Sequence, residues 1–316
     1  MKLLFLGLGF ISFSVAYELA ESHDITLTTR ELPPRHPVKR AYAEMLESKG
    51  VKLERLDVLN DREKLAEMVR GSDAVVNFIG EIQGDEKSLL LSNAEIPKRL
   101  VEAIETSNPK VYFIHFSGAT LGQQGKYIKE EVPHGSGLNP STPFERSKLE
   151  GEKAVMSSSI QKAIVRPTLV YGWAAAHPQF VVMYRLAKLG IRPGLGLEFM
   201  PVSTYYIAKL IDKLLDTKPK AEYLYATECK KVTVEDFVKL YCEALNKGCF
   251  RIPVPTALAK AFLPRGVKDL LRYSGVEFSC EKMKGYVGEM TFREEDVLKN
   301  AEFLGELEAQ GRLVPE

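Results

Sequence analysis

A glycine-containing turn follows an apolar run at the start of the chain. The run covers Leu3 to Leu6, and the turn has the spacing GxGxxS, in Gly7-Leu8-Gly9-Phe10-Ile11-Ser12. Glycines at this spacing let the backbone turn tightly after a strand and approach a pyrophosphate at the N-terminus of the next helix. We therefore predict that Gly7, Gly9, Phe10 and Ile11 bind a dinucleotide. A strand-to-helix turn without a ligand is the alternative.

The end of the second predicted strand bears on which nicotinamide dinucleotide binds. An acidic residue there would bond to the ribose 2′-hydroxyl of NAD, but the strand ends in Thr28-Thr29-Arg30. We expect Arg30 to pair with the 2′-phosphate of NADP, aided by the Thr29 hydroxyl, with a solvated loop arginine as the alternative. Asp57 is expected to accept from the adenine amino group, to cap the helix after it, or both. NADP is therefore favoured, and NAD is the second choice.

Strands and helices alternate through the first half of the chain. Apolar runs predict strands at 3–6, 25–29, 51–56, 74–79, 111–116 and 163–165. Helical spacing predicts helices at 10–20, 41–49, 62–69, 94–105 and 147–156. Strands that alternate with helices form parallel crossovers, so the fold class is predicted to be α/β, a Rossmann-type doubly wound parallel sheet.

The pattern becomes irregular after Gly172. The stretch from Trp173 to Pro201 is rich in glycine and proline, which is typical of a segment that leaves the sheet. We predict an NAD(P)-binding Rossmann domain over 1–172. Residues 173–316 are predicted to form a smaller, mostly helical substrate-binding lobe that is interleaved with the sheet domain.

Charge and composition restrict the partners. The chain has 43 basic and 42 acidic residues, a net charge of +1, and the two signs are interspersed, which argues against nucleic acid and anionic lipid as partners. No stretch reaches the roughly 18 apolar residues of a membrane span. We expect a small-molecule partner and a cytoplasmic protein.

The four cysteines, Cys229, Cys242, Cys249 and Cys280, have neither CxxC spacing nor nearby histidines. Such spacing argues against both a metal site and a disulfide framework. We therefore expect reduced cysteines and no bound metal.

Taken together, the motifs resemble the extended short-chain dehydrogenase/reductase superfamily, which includes nucleotide-sugar epimerases and dehydratases. The resemblance covers most of the chain. Besides the glycine turn, it rests on the segments Asn77-Phe78-Ile79-Gly80, Phe113-Ile114-His115-Phe116-Ser117, Phe144-Glu145-Arg146-Ser147-Lys148, Val165-Arg166-Pro167 and Val170-Tyr171-Gly172.

The resemblance implies a catalytic Ser or Thr and a YxxxK pair, but here Phe144 stands in place of the tyrosine. Ser117 matches the catalytic hydroxyl, unless a shift of one residue puts Gly118 there. Lys148 matches the lysine that holds the ribose. Phe144 cannot transfer a proton, so Tyr127, in a loop near the expected cleft, is the substitute to test. Asn93 matches a residue that orders a water in the family, with a helix-capping role as the alternative.

Two functions follow from this departure. The first is an NADP-dependent oxidoreductase, epimerase or dehydratase with an altered active site, acting on a small or nucleotide-linked substrate. The second is a non-catalytic NADP(H)-binding accessory or sensor protein, resembling the atypical branch with the NADPH-binding accessory subunit of respiratory complex I. The resemblance favours the first and the lost tyrosine favours the second. Because members of the family often dimerise, the resemblance also implies a homodimer.

Overall fold

A parallel seven-stranded sheet forms the centre of the protein, which we describe from a computed structural model over residues 1–129, 137–254 and 271–316. The strands, numbered along the chain, are β1 Lys2–Leu6, β2 Asp24–Thr29, β3 Lys52–Arg55, β4 Ala74–Asn77, β5 Tyr112–Phe116, β6 Tyr127–Ile128, β7 Lys162–Pro167, β8 Leu169–Tyr171, β9 Ile191–Gly194, β10 Glu198–Phe199, β11 Pro201–Ser203, β12 Ala221–Ala226, β13 Val232–Thr233, β14 Phe250–Pro253 and β15 Glu277–Phe278. The central order is β12-β7-β5-β4-β1-β2-β3, and every neighbouring pair is parallel. The predicted α/β fold class is confirmed.

Helices cover both faces of this sheet. They are α1 Phe10–Leu19, α2 Pro37–Ser48, α3 Arg62–Arg70, α4 Glu86–Leu90, α5 Ile96–Ser107, α6 Pro143–Ser157, α7 Pro178–Lys188, α8 Thr204–Thr217, α9 Val234–Ala244, α10 Glu281–Val287 and α11 Glu294–Ala309. One turn of π-helix, Leu91–Glu95, joins α4 to α5. The larger apolar core lies under α1, α2, α8 and α11, and the smaller one lies under α3 and α5.

The direction of the connections reverses beside β1. Strands β4 and β2 flank β1, so the connections on its two sides run in opposite directions. In open α/β sheets, ligands bind outside the carboxyl ends of the strands at such a reversal. Strands β1, β4 and β5 are buried along almost their whole length, as expected for inner parallel strands covered by helices on both faces.

Helix α6 begins four residues before the predicted start at Ser147. Thr142 caps the helix by accepting from Glu145 N–H, and the Glu145 side chain accepts in return from the Thr142 N–H. Pro143 takes the first helical position, where its missing N–H costs nothing. Phe144 therefore lies in the first turn of α6, and Lys148 lies one turn later on the same side.

Strand β12 was not predicted. It comes from the second half of the chain and pairs with β7 at the edge of the sheet. The division at residue 172 remains a prediction. No helix in the three described stretches is long and apolar enough to cross a bilayer.

The expectation of reduced cysteines is wrong. Cys229 is bonded to Cys280, and Cys242 is bonded to Cys249, with Cα atoms 5.4 and 6.2 Å apart. Both distances suit a disulfide. The partners are 51 and 7 residues apart in sequence, and the fold, rather than a short motif, makes them neighbours. The cytoplasmic location stays a prediction.

Candidate dinucleotide site and active site

The glycine turn has the geometry expected of a phosphate-binding turn. Gly7 has φ of +94°, and a β-carbon on it would lie 2.7 Å from Ile79 Cγ1. Ser12 closes the turn, because its hydroxyl accepts from Gly9 N–H at 2.9 Å and donates to Gly9 O at 3.0 Å. A serine in the third glycine position thus adds two hydrogen bonds within the turn. Ile11, the second residue of α1, is partly buried against the larger core.

A carboxylate from the far end of the chain occupies this turn. Phe10 N–H donates to Glu316 Oε2 at 3.1 Å, and Lys39 Nζ lies 3.7 Å from Oε1. The Glu316 side chain is only 8% exposed. Burial raises the pKa of Glu316, while Lys39 and the Phe10 N–H oppose the rise. An anion therefore fits at the N-terminus of α1. The sequence carries no signal for this contact, because its two residues are 306 positions apart.

The predicted adenosine-binding residues lie together at the ends of β2 and β3. Thr29 ends β2 and accepts at its carbonyl from Leu56 N–H at 2.9 Å, and Arg30 follows it with an exposed side chain. Asp57 accepts from the backbone N–H of the next residues, including Leu59 at 3.0 Å. Burial raises its pKa, but these hydrogen bonds and nearby Arg30 outweigh burial and hold it below the usual value. Asp57 thus caps the turn 58–60 and lies near Arg30, but it does not cap α3 as predicted, because Asp61, four residues later, is the N-cap of that helix.

Two buried polar atoms at the carboxyl end of β5 have no hydrogen-bond partner among the described residues. They are Ser117 Oγ and His115 Nε2. Ser117 is fixed by its backbone, whose N–H donates to Val165 O at 2.9 Å. His115 Nδ1 lies 3.0 Å from Asn77 Nδ2, which assigns the proton to Nε2. Burial and the charge of Lys148 lower the pKa of His115 to about 3, so this ring is neutral. Buried polar atoms are normally paired, so these two are available to a ligand or a water.

Lys148 is a buried cation beside the same strand ends. A β-carbon on Gly80, which follows β4, would collide with Lys148 Nζ, so this glycine makes room for the ammonium. Burial lowers the pKa of Lys148 to about 8, although the Glu152 carboxylate opposes the shift. No hydrogen bond or ion pair within the described stretches involves Nζ. An ammonium held here can donate to the oxygens of a ligand.

Phe144 puts a hydrocarbon surface where the resemblance implies a phenol. Its Cζ lies 3.5 Å from where a β-carbon on Gly118 would be, so the ring lies over the turn that follows Ser117. The structure therefore brings Ser117, Phe144 and Lys148 to one place. The Phe144 ring carries no group that could donate or accept a proton there.

Asn93, within the π-helical turn 91–95, connects α6 to the segment that follows β4. Its Nδ2 donates to Ser147 Oγ at 3.0 Å and to Glu81 O at 2.8 Å, and its Oδ1 accepts from Glu81 N–H at 3.0 Å. The side chain is fully buried. Asn93 thus fixes α6 against the segment after β4 from within a helical turn, so it does not cap a helix end. The water-ordering role stays a prediction.

Tyr127 lies apart from these groups. It is in β6, which pairs with β15, and it is 56% exposed. None of the contacts among the described residues connects it to Ser117, Phe144 or Lys148. Its catalytic role stays a prediction.

Sequence reasoning missed Tyr273, whose phenol lies beside the first turn of α6. The Tyr273 hydroxyl accepts from Gly122 N–H at 2.9 Å and donates to Glu145 Oε1 at 2.8 Å. It therefore connects the loop after β5 to the first turn of α6. No motif surrounds Tyr273, so only the fold reveals it.

Comparison with known proteins gives one family and one fold. The family model described as NAD dependent epimerase/dehydratase matches residues 7–247. No curated protein matches the chain.

Among solved structures, the UDP-glucuronic acid 4-epimerase of Bacillus cereus, in complex with UDP-glucuronic acid and NAD, is similar with a TM-score of 0.74 at 16% identity. That match covers 97% of this chain and 100% of the epimerase. The dTDP-glucose 4,6-dehydratase of Bacillus anthracis, in complex with NAD, has a TM-score of 0.74 at 16% identity and covers 99% and 100%. A variant of the B. cereus epimerase with phenylalanine in place of one tyrosine, solved with UDP-4-deoxy-4-fluoro-glucuronic acid and NAD, has a TM-score of 0.74 at 15% identity and covers 97% and 100%.

Proposed function

Because this chain belongs to the NAD dependent epimerase/dehydratase family, we propose that it binds a nicotinamide dinucleotide and acts on a small or nucleotide-linked substrate. The reaction is an oxidation or reduction of the epimerase/dehydratase kind, in an active site that lacks the usual tyrosine. One observation carries the proposal. The buried Ser117 hydroxyl has no described partner and lies with the buried Lys148 ammonium at the carboxyl ends of β4 and β5. Leaving such groups unpaired costs stability, which a ligand would restore.

Each residue has a defined role in this proposal. A bound nicotinamide supplies the site that accepts or returns a hydride. Lys148 donates to the ribose hydroxyls and remains a cation at neutral pH, because its lowered pKa is still about 8. Ser117 donates to the substrate oxygen that gains or loses charge. Phe144 excludes water from that oxygen but moves no proton, which removes a contribution worth about 10²- to 10⁴-fold in rate.

The dinucleotide in this proposal is NADP(H) rather than NAD(H). The end of β2 offers no carboxylate to a ribose 2′-hydroxyl, and the exposed Arg30 is free to meet a 2′-phosphate. The similar epimerase and dehydratase were solved with NAD, so the proposed NADP preference rests on this chain's own residues.

Replacement of Arg30 tests the cofactor choice. We predict that Arg30→Ala weakens NADPH binding about 10- to 100-fold, since a charge-assisted hydrogen bond contributes about 1.5–3 kcal/mol, and leaves NADH binding unchanged. Calorimetric titration of both dinucleotides measures this. Arg70→Ala is the matched control, because Arg70 is exposed beside Lys2 and Asp24 at the opposite end of the strands. Tighter binding of NADH than of NADPH to the unchanged protein would overturn the NADP preference.

A turnover assay separates the two candidate functions. We expect oxidation or reduction of the dinucleotide with at least one member of a panel of carbonyl compounds and nucleotide sugars. Ser117→Ala should abolish the turnover and leave dinucleotide affinity unchanged. Binding without turnover across the panel would instead support the second candidate, a non-catalytic NADP(H)-binding accessory or sensor protein. The contact of the Phe144 ring with Gly118 favours this second candidate, because it fills the space beside Ser117 with a side chain that moves no proton.

A further inference from the structure

The Glu316 carboxylate lies where a dinucleotide would place its pyrophosphate. The first backbone N–H groups of α1 have no partner within the helix, and they face the mouth of the glycine turn. Phe10 supplies one of them, and in this structure it donates to Glu316 Oε2 at 3.1 Å. Glu316 Oε1 lies 3.0 Å from where a β-carbon on Gly9 would be, which is the space the glycine leaves open for a phosphate.

The Phe10 N–H and the space beside Gly9 cannot bind the Glu316 carboxylate and a pyrophosphate at the same time. The carboxylate is almost completely buried, and among the described residues it forms an ion pair with Lys39 alone. A pyrophosphate in the same turn would face a like charge at contact distance, which is strongly unfavourable in a buried place. Occupation of the turn by Glu316 and by a dinucleotide is therefore mutually exclusive.

The segment 312–316 is held to the rest of the protein by a few polar contacts and by the partly buried side chain of Leu313, which packs against the larger core. Arg312 pairs with Glu44 at 2.8 Å, and Pro315 O lies 3.2 Å from His36 Nε2. The Glu316 N–H donates to Ala176 O at 3.0 Å. Water can replace such hydrogen bonds at little net cost in free energy, because the released groups are solvated instead. The segment is thus able to leave the turn while α11, which precedes it, stays packed in the core.

We propose that the segment 312–316 is an internal competitor of the dinucleotide: docked, its Glu316 carboxylate closes the phosphate turn, and binding of the dinucleotide releases it. This inference rests on the proposed dinucleotide binding. It adds an autoinhibitory contact that sets the affinity of the turn, so that anything that captures the released segment would strengthen dinucleotide binding.

Titration of NADPH against a variant without the carboxylate tests the competition. We expect Glu316→Ala to bind NADPH about tenfold more tightly or better than the unchanged protein, because the variant has no docked anion to displace. Glu306→Ala is the matched control, since Glu306 is an exposed carboxylate on α11, and it should leave the affinity unchanged. As a second measurement, hydrogen exchange over 312–316 should accelerate when the unchanged protein is saturated with NADPH.

The outcomes are distinguishable. Equal or weaker NADPH binding by Glu316→Ala, or unchanged exchange over 312–316 on saturation, would overturn the competition and leave the proposed function intact. No NADPH or NADH binding to either protein would overturn dinucleotide binding and the competitor with it.

Discussion

Lys148 is a buried ammonium whose place in the fold is unfavourable by itself. Burial lowers its pKa to about 8, and the neighbouring Glu152 is already paired with Arg166, Nη2 to Oε2, at 2.6 Å. Charged groups in protein interiors are usually paired, and strongly shifted pKa values concentrate at functional sites. The proposed contact with a dinucleotide ribose would account for a lysine that burial makes unfavourable.

Replacement of Lys148 should stabilise the fold and weaken dinucleotide binding. An unfolded lysine has a pKa of about 10.4, so a folded pKa of about 8 costs the folded state about 3 kcal/mol at pH 7. This cost is complete below pH 8 and fades as the pH rises from 8 to about 10.4. We predict that Lys148→Met raises the free energy of unfolding at pH 7 by up to about 3 kcal/mol and gains little at pH 10, while NADPH binding weakens.

Urea unfolding at the two pH values measures this change. Lys153→Met, on the same helix but paired with Glu150 at the surface, is the control and should change neither stability nor affinity. A loss of stability at pH 7 in Lys148→Met would show that the ammonium has a structural role instead.

At the level of elements, the site depends on how closely α6 approaches the π-helical turn 91–95. Gly151, one turn after Lys148, allows this approach, because a β-carbon there would collide with Asn93 O. Asn93, in the same turn, donates a hydrogen bond from its Nδ2 to Ser147 Oγ. Gly151 and Asn93 thus set the position of Lys148 under the strand ends by close packing and hydrogen bonding.

A pair of glycine-to-alanine variants tests this packing. Alanine in a helix is favoured over glycine by about 0.5–1 kcal/mol where space allows, whereas overpacking costs about 1–3 kcal/mol. Gly285→Ala in α10 meets open space and should be neutral or stabilising. Gly151→Ala should destabilise the protein and weaken NADPH binding by shifting α6. Equal melting temperatures for the two variants would contradict the proposed close contact.

The elements also show how far the sequence can be interpreted. Local spacing predicted the glycine turn and the inner strands, whose carboxyl ends parallel pairing brings to one edge. The placement of Ser117 and Lys148 in one site came from the resemblance to the family. Local spacing did not predict the start of α6, which a capping box moved to Pro143. It also missed the π-helical turn, because a single extra residue per turn is invisible in an apolar pattern that continues on both sides.

At the scale of the whole molecule, the features that escaped prediction are contacts between distant parts of the chain. Strand β12 extends the sheet from the second half, Glu316 returns to the glycine turn, and Cys229 meets Cys280. Each of these contacts forms only in the assembled fold, so no short sequence motif predicts it. The second half of the chain therefore both extends the central sheet and reaches the glycine turn.

The two disulfides give a whole-molecule test that depends only on loop length. Cross-linking restricts the unfolded chain more when the closed loop is longer. A loop of 51 residues corresponds to about 4 kcal/mol, and one of 7 residues to about 2 kcal/mol. We predict that the double variant Cys229→Ser with Cys280→Ser loses about twice as much unfolding free energy as Cys242→Ser with Cys249→Ser. Urea unfolding of each pair without reductant measures this, and a thiol titration of the denatured, unreduced protein should find no free cysteine. Four titratable thiols, or no loss in either double variant, would mean that the cysteines are reduced, as their spacing alone suggests.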